Sequence, residues 1–357
     1  MIILPSCNIR EKKDILESYS KTFIRLDSTF LFDGIPSIVP QDDSSCYLYR
    51  SGTGIFYKVN YLTGEKIARY SLADMINKDS ICSVLFHTDV STNEYKNEWK
   101  IRQKYGYQPY TIMSVANASD STIAIFFTLH IPKTDIDKEG LIHTETLHPI
   151  VAIKHIAHQG FISIRPIDLK WVADRTKPSF SPDFGFFIND DTMYISALSI
   201  PEYDSSIYIT YDLNTLIPGK KSAIRHQKFN NTTGLPLATF YKFLKYNDRS
   251  FVSNRSQVYD LRTEQLVHDF KSEIKDIHSI YFFYPVDRSF NKWFINYTTR
   301  FDVKKTKFDR FIAIVDITDH KIISCRPDNT SIYSYYNNKI ISIEKDSLSM
   351  YFKRYSL

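Results

Sequence analysis

The amino-acid sequence predicts an all-β protein built as a β-propeller of six blades, with seven blades or paired β-sandwiches as the alternatives. Three observations lead to this prediction: the residue composition, a set of hairpin-like segments and a loose internal repeat. The 357 residues include 25 Tyr and 25 Phe but only 10 Gly. Because aromatic side chains suit a pleated, half-buried surface, this composition favours sheet.

Four segments each contain a β-rich run, a short polar turn and a second β-rich run, which is typical of a β-hairpin. They span residues 54–72, 206–217, 257–270 and 311–324. At the turn, each segment has an apolar residue, then Asp or Asn, then another apolar residue. We expect this Asp or Asn to accept hydrogen bonds from the turn that follows it. The four residues are Asn60, Asp212, Asp260 and Asp316.

These turn residues recur with a period near that of propeller blades. Asp212 and Asp260 are 48 residues apart, and Asp260 and Asp316 are 56 apart. Asp168 precedes Asp212 by 44 residues and follows Asn60 by 108, or two steps of 54. Six blades of about 50 residues account for roughly 300 residues.

The two ends of the chain predict how the ring closes. Residues 339–357 contain a strand pair, and residues 22–32 supply a strand that joins it, so that no sheet edge remains open. We therefore expect one propeller domain over residues 22–357. In the two-sandwich alternative, the linker-like stretch 174–185 separates two domains. Few helices are expected: residues 71–78 form a helical turn, and 93–106 form a polar excursion between blades.

The first residues suggest an export signal. Apolar residues 2–4 precede Pro-Ser-Cys, and this resembles the end of a bacterial lipobox, with Leu4 three residues before Cys7 and a small residue just before it. We expect residues 1–7 to be the remnant of a lipoprotein signal, Cys7 to be the lipid attachment site and residues 8–21 to be a polar tether. In the alternative, residues 2–4 form a terminal strand and Cys7 is an ordinary small apolar residue.

With Leu4–Cys7, the polar tether and hairpins such as "YKVNYLTGEKIARYSL", the chain resembles a group of uncharacterised lipoproteins from Bacteroidetes. These proteins carry a six-bladed-propeller-like domain of unknown function. The resemblance implies a propeller in the cell envelope, as an outer-membrane lipoprotein, with no established reaction. The partners it implies are the membrane, through the anchor, and an unknown protein or glycan ligand.

Charge and cysteine spacing exclude other classes. The 45 Lys and Arg and 40 Asp and Glu give a formal charge of +5 without a concentrated basic stretch, so nucleic acid is not an expected partner. Cys46, Cys82 and Cys325 lie far apart without Cys-x-x-Cys spacing, so no zinc site is indicated. One remote cysteine pair can still form a disulfide in an oxidising compartment.

One stretch is a candidate metal site. Asp135, Asp137 and Glu139 alternate before Gly140, as at the start of an EF-hand loop that binds Ca²⁺. The twelfth loop position is Thr146, so the bidentate closing ligand is absent. Calcium is therefore the one candidate cofactor, and a solvated charged loop is the alternative.

No catalytic residue can be nominated. The sequence contains no Gly-x-Ser-x-Gly motif and no Gly-rich phosphate loop. Trp99 has polar neighbours, so we expect it to be exposed and able to stack on a ligand. We predict a binding or scaffold module. The alternative is an envelope glycosidase or lyase with paired carboxylates in the central funnel.

Overall fold

The structure, a computed structural model, contains six four-stranded antiparallel sheets. It describes residues 21–26, 36–50, 53–104, 109–119, 121–137, 140–155, 161–167, 185–189, 191–198, 205–225, 242–254, 256–302, 307–328, 332–336, 339–345 and 350–356. The first strand, β1 (Lys21–Arg25), belongs to the last sheet. In the other five sheets the four strands follow one another along the chain.

The first three blades lie in the N-terminal part of the chain. Blade 1 contains β2 Ser37–Pro40, β3 Ser45–Tyr49, β4 Ile55–Asn60 and β5 Lys66–Ser71. Blade 2 contains β6 Tyr110–Ser119, β7 Thr122–Asp137, β8 Gly140–His155 and β9 Phe161–Pro166. Blade 3 contains β10 Gly185–Asn189, β11 Thr192–Leu198, β12 Ser205–Asp212 and β13 Pro218–Arg225.

The remaining blades complete the ring. Blade 4 contains β14 Lys242–Tyr246, β15 Arg249–Asn254, β16 Gln257–Asp260 and β17 Gln265–Asp269. Blade 5 contains β18 Ile277–Pro285, β19 Lys292–Asp302, β20 Lys307–Asp316 and β21 Lys321–Pro327. Blade 6 contains β22 Ile332–Tyr336, β23 Lys339–Lys345 and β24 Met350–Ser356, with β1 as its outermost strand.

The innermost strands of the six blades contact one another in a closed cycle. Strand β2 contacts β6 and β22, and the contacts continue through β10, β14 and β18 back to β22. This cycle confirms the predicted six-bladed propeller, so the alternatives of seven blades and of paired sandwiches are wrong. Three predicted hairpins are confirmed within their bounds, as β4–β5, β16–β17 and β20–β21. The fourth, β12–β13, is also a hairpin, but its second strand begins at Pro218, just after the predicted segment 206–217.

The ring is closed by strands from both ends of the chain, as predicted. Strand β1 pairs along its whole length with β24, from Lys21 opposite Tyr355 to Arg25 opposite Tyr351. Blade 6 then packs on blade 1, where the ring of Phe352 meets that of Tyr61 edge-on at 6.4 Å. Because β24 is paired on both sides, the C-terminal strand is not left as an open sheet edge.

Strand alternation gives the ring two different faces. The connection face carries the links from each outer strand to the next blade, and the loops between second and third strands. The turn face carries the first-to-second and third-to-fourth turns. The four predicted turn residues cap third-to-fourth turns: in each, one side-chain oxygen accepts two backbone N–H bonds at 2.8–3.2 Å. The four are Asn60, Asp212, Asp260 and Asp316.

Asp168, the remaining residue of the predicted repeat, lies outside the described residues. In blade 2 the third strand ends at His155 and the fourth begins at Phe161. Strands β7 and β8 are both 16 residues long, so the spacing between turns in this blade differs from that of the other blades.

Apolar side chains fill the spaces between neighbouring blades. Trp293 is fully buried and meets Phe251 and Phe270 of blade 4 at ring distances of 5.7 and 6.3 Å. On the other face of blade 5, Phe294 packs on Tyr333 of blade 6 at 5.6 Å. Since a buried aromatic side chain removes about 150–250 Å² from water, these rings account for much of the packing between blades.

Blades 4 and 5 are also joined by a buried carboxylate. Glu273, whose side chain is fully buried, accepts hydrogen bonds from His268 and from His320 of the β20–β21 turn, both at 2.8 Å. Burial by itself would raise the pKa of Glu273, but the bonds from His268, His320 and Ser272 outweigh it and lower that pKa. The carboxylate therefore stays charged and paired between the two blades.

A helical insertion links blade 1 to blade 2. It contains α1 (Leu72–Met75), α2 (Lys78–Phe86) and α3 (Asn93–Lys104). The predicted helical turn over 71–78 is confirmed by α1, whereas the predicted polar excursion over 93–106 is mostly helix α3. A separate 3-10 helix, Phe270–Ser272, follows β17. Among the described residues, no helix has the length and apolar character needed to cross a membrane.

We expect Gly64→Ala to destabilise the closed ring. Gly64 has φ +80°, and a Cβ there would lie 2.0 Å from the backbone oxygen of Arg25 in β1. The left-handed backbone and this overlap together cost about 2–4 kcal/mol. Thermal unfolding monitored by circular dichroism measures the loss. Gly54→Ala is the control, because its nearest contacts would be 3.5 Å away; equal stability of the two variants would contradict the closure geometry.

Candidate functional site

Blade 2 departs from the plain four-stranded repeat in two places on the connection face. The first is the helical insertion, residues 72–104, which we call the insert. The second is an extension of the β7–β8 hairpin. Pairing of β6 with β7 begins at Leu129, and pairing of β9 with β8 ends at Ile150. Beyond these points, 131–137 and 140–146 pair only with each other in the described structure and form what we call the ribbon.

The insert and the ribbon leave blade 2 on the same face. Helix α3 contacts strand β7, whose extension forms the ribbon, and the insert enters blade 2 at Tyr110, which pairs with Leu129, two residues before the ribbon begins. The ribbon continues for about seven residues past the blade, which at about 3.3 Å per residue is roughly 23 Å. Together they form the largest departure from the ring among the described residues, on one side of one blade.

The candidate calcium residues lie in the ribbon. Asp135 and Asp137 are in strand β7, and Asp137 pairs with Gly140 of β8. Glu139 lies outside the described residues. An EF-hand loop wraps around its ion, whereas Asp135 and Asp137 lie on extended strand; calcium binding by these three residues stays a prediction. No group of three His, Cys, Asp or Glu among the described residues is arranged to hold a metal.

Inside the insert, the ammonium of Lys78 lies between two aromatic rings. Its Nζ is 5.3 Å from the centroid of Tyr95 and 4.9 Å from that of Trp99, within cation–π distance. Lys78 also forms an ion pair with Asp79, and the Tyr95 hydroxyl donates to Asp79 at 2.9 Å. These contacts fasten α2 to α3, and we call Lys78, Asp79, Tyr95 and Trp99 the lysine lock.

The lock changes the pKa of its members. Burial acts to raise the pKa of Asp79, but hydrogen bonds from Lys78 and Tyr95 outweigh it and lower that pKa. Burial raises the pKa of Tyr95 and of Cys82, whose Sγ lies 3.4 Å from the Tyr95 hydroxyl. A thiol with a raised pKa is a poor nucleophile, so Cys82 contributes packing to the insert rather than covalent chemistry.

The expectation that Trp99 is exposed is wrong. Its side chain belongs to the core of the insert, with 4% of the residue accessible, and it meets Tyr95 edge-on at 6.3 Å. Its Nε1 has no hydrogen-bond partner among the described residues. A buried ring offers no face on which a sugar could stack. The polar residues next to Trp99 in the sequence suggested exposure because α3 buries only one narrow side of the helix.

The outer side of the insert carries exposed apolar and basic residues. Val84 of α2 is 70% exposed and Ile101 of α3 is 46% exposed. Three lysines of α3 are exposed as well: Lys96, Lys100 and Lys104. Sequence reasoning missed the residues of α3 because their positions on the helix follow only when residues 93–104 are recognised as a helix.

The innermost strands, as far as the structure describes the chain, do not supply paired carboxylates. All six lack Asp and Glu, and their basic residues are Lys242, Lys245 and His278. The predicted alternative of a carboxylate pair in the funnel therefore has no support from the strands that line it. Two acids at the reacting bond are the usual requirement for glycoside hydrolysis.

The His268–Glu273 pair is not a catalytic relay. Ser272 Oγ and Glu273 Oε2 lie 3.5 and 2.8 Å from the same nitrogen, Nε2 of His268. A Ser-His-acid triad needs the hydroxyl on one imidazole nitrogen and the carboxylate on the other. This cluster therefore joins blades 4 and 5 and has no geometry for proton transfer to a nucleophile.

The cysteines are in two chemical states. Cys46 and Cys82 are free, buried thiols. Cys325, in β21, is disulfide-bonded. The predicted lipid-attachment residue Cys7, the signal remnant 1–7 and the tether over 8–20 lie outside the described residues. Lipid attachment to Cys7 therefore stays a prediction.

Searches with the sequence gave no relatives. No protein-family model matches the chain, and no curated protein matches it.

Similar solved structures were found at low sequence identity. The chain is similar to BamB from Moraxella catarrhalis, at 10% identity and TM-score 0.39, over 94% of this chain and 98% of that one. It is similar to selenomethionine-substituted virginiamycin B lyase from Staphylococcus aureus, at 11% identity and TM-score 0.44, over 95% and 99%. It is also similar to the Neurospora crassa Pan2 WD40 domain, at 7% identity and TM-score 0.43, over 98% and 97%. The propeller assignment itself rests on the sheet order and the closed cycle of inner strands.

Proposed function

We propose that this protein is a lipid-anchored propeller of the cell envelope that binds a protein partner through the insert and the ribbon. One observation carries the binding role: the two elements added to the six-bladed ring both leave blade 2 on the connection face, and helix α3 of the insert contacts strand β7, which extends into the ribbon. Loops and insertions on a rigid scaffold are where proteins place recognition surfaces. The rest of the ring then serves to hold this surface in a fixed orientation.

Binding is better supported than catalysis. Among the described residues, the innermost strands contain no carboxylate, no metal cluster is present, and the one His–Glu–Ser cluster has the wrong geometry for a relay. The exposed apolar residues Val84 and Ile101 are of the kind that a protein partner covers. The lysine lock holds α2 and α3 together. A partner would therefore bind an ordered surface, and little conformational entropy of the insert would be lost on binding.

The N-terminal sequence supports an envelope location, because Leu4–Cys7 resembles a lipobox. The 13 residues 8–20 then link the anchor to Lys21, at the end of β1 that lies with the turn face, and reach at most about 45 Å. In this arrangement the turn face lies nearer the membrane, and the insert and ribbon point away from it.

The partner surface can be tested by site-specific photocrosslinking in the native host. We expect p-benzoylphenylalanine at Val84 or at Ile101 to give the same adduct with one partner. Leu62 and Ile217, which are 40% and 60% exposed in turns of the turn face, are matched controls and should not give it. Replacing Pro132–Glu145 with Asn-Gly shortens the ribbon while keeping its register, and should abolish the adduct. An adduct at the control positions alone, or none at any position, would contradict the proposal.

The anchor can be tested by mass spectrometry of the native protein expressed with its upstream codons. We expect Cys7 to carry a diacylglyceryl thioether, and Cys7→Ala to move at least nine-tenths of the protein from the membrane to the soluble fraction, because acyl burial provides about 0.8 kcal/mol per CH₂. A sulfur in a thioether cannot also form a disulfide. A disulfide-linked peptide that contains both Cys7 and Cys325 would therefore contradict lipid attachment at Cys7, although it would still be consistent with export.

A further inference from the structure

We infer that the outer side of α3 docks an acidic segment of the partner protein; this inference rests on the proposed function and names the partner's chemistry. Lys96, Lys100 and Lys104 follow one another at intervals of four residues and are all exposed. Because residues four apart lie on the same side of a helix, the three ammonium groups form one stripe along about 12 Å of α3. We call this the lysine stripe.

The stripe lacks acidic neighbours on its own helix. No Asp or Glu lies three or four positions from any of the three lysines, and instead each lysine has another lysine four positions away. Like charges at this spacing destabilise a helix. Among the described carboxylates, Asp89 is the one whose pKa is lowered by Lys96, after the larger effects of its hydrogen bonds with Ser91.

The helix dipole explains only part of the stripe. Cations near a helix C-terminus are stabilising, which accounts for Lys100 and Lys104 in the last part of α3. Lys96 lies in the first turn, where the dipole disfavours a cation. The insert neutralises the one lysine that it partly buries, Lys78, with Asp79 and two aromatic rings. Among the described contacts, the three lysines of the stripe form no ion pair of this kind, and Asp89 is the one carboxylate on which the charge of Lys96 acts. Most of the charge of the stripe is therefore left for a second molecule.

The geometry favours an acidic protein segment over an anionic membrane. The stripe is a single line, which suits an extended or helical segment laid along α3. Ile101, next to Lys100 and 46% exposed, supplies an apolar contact beside the charges. Complementary charge of this kind speeds association and is weakened by salt.

The stripe can be tested with a fluorescein-labelled peptide of eight glutamates and the full-length protein. We expect fluorescence anisotropy to show binding that weakens at least tenfold between 50 and 300 mM NaCl. The triple variant Lys96→Glu, Lys100→Glu, Lys104→Glu should lower the affinity at least tenfold at low salt. The matched control reverses three exposed lysines on blades 3, 4 and 5, namely Lys220, Lys275 and Lys321, and should lower it less than twofold.

Circular dichroism and thermal unfolding establish that each variant is folded. If the reversal unfolds α3, the milder triple Lys→Gln variant takes its place, with an expected loss of at least threefold. Equal losses in the stripe and control variants would overturn the inference, as would stripe-dependent binding to vesicles of phosphatidylglycerol and phosphatidylcholine without binding to the peptide. If the crosslink from Ile101 still forms in the triple Lys→Glu variant, the inference of an acidic partner segment is wrong, but the proposed binding role still holds.

Discussion

The pairing of β1 with β24 is the constraint on which the rest of the structure depends. Six sheets form a ring only if the last one packs on the first, and here the last sheet is completed by a strand from the other end of the chain. Without β1, the C-terminal strand would be an exposed sheet edge. The contact of Tyr61 with Phe352 and the close approach of Gly64 to Arg25 both form across this junction.

A closed ring also determines where the protein can vary. The inner strands pack against one another, and their side chains and those of the next strands fill the spaces between blades, so the strands tolerate little change. Connections on the outside are free to lengthen, and blade 2 has both a helical connection and an extended hairpin. The lysine lock then fixes α2 against α3, which leaves Val84, Ile101 and the lysine stripe on an ordered surface.

The repetitive part of the fold was predictable because it uses local signals. Asp212 and Asp260 each accept hydrogen bonds from the backbone amides two and three residues later in the chain. Because donor and acceptor are so close in sequence, a short stretch of sequence is enough to predict the turn. The binding surface was not predictable in this way. Helix α3 buries few residues, Tyr95, Glu98 and Trp99 among them, so its apolar periodicity is weak and its sequence resembles a polar loop. The ribbon lengthens blade 2 and so breaks the regular spacing of the repeat.

Hydrogen–deuterium exchange of the intact protein tests the closed ring most directly. The account predicts that the β24 amides bonded to β1 exchange only on global unfolding, at the rate of central-strand amides such as those of β19. If those β24 amides exchange a hundredfold or more faster, like the amides of an open sheet edge, then β1 does not close the ring. In that case the ring would not be a rigid scaffold, and the argument that it holds the binding surface in a fixed orientation would be wrong.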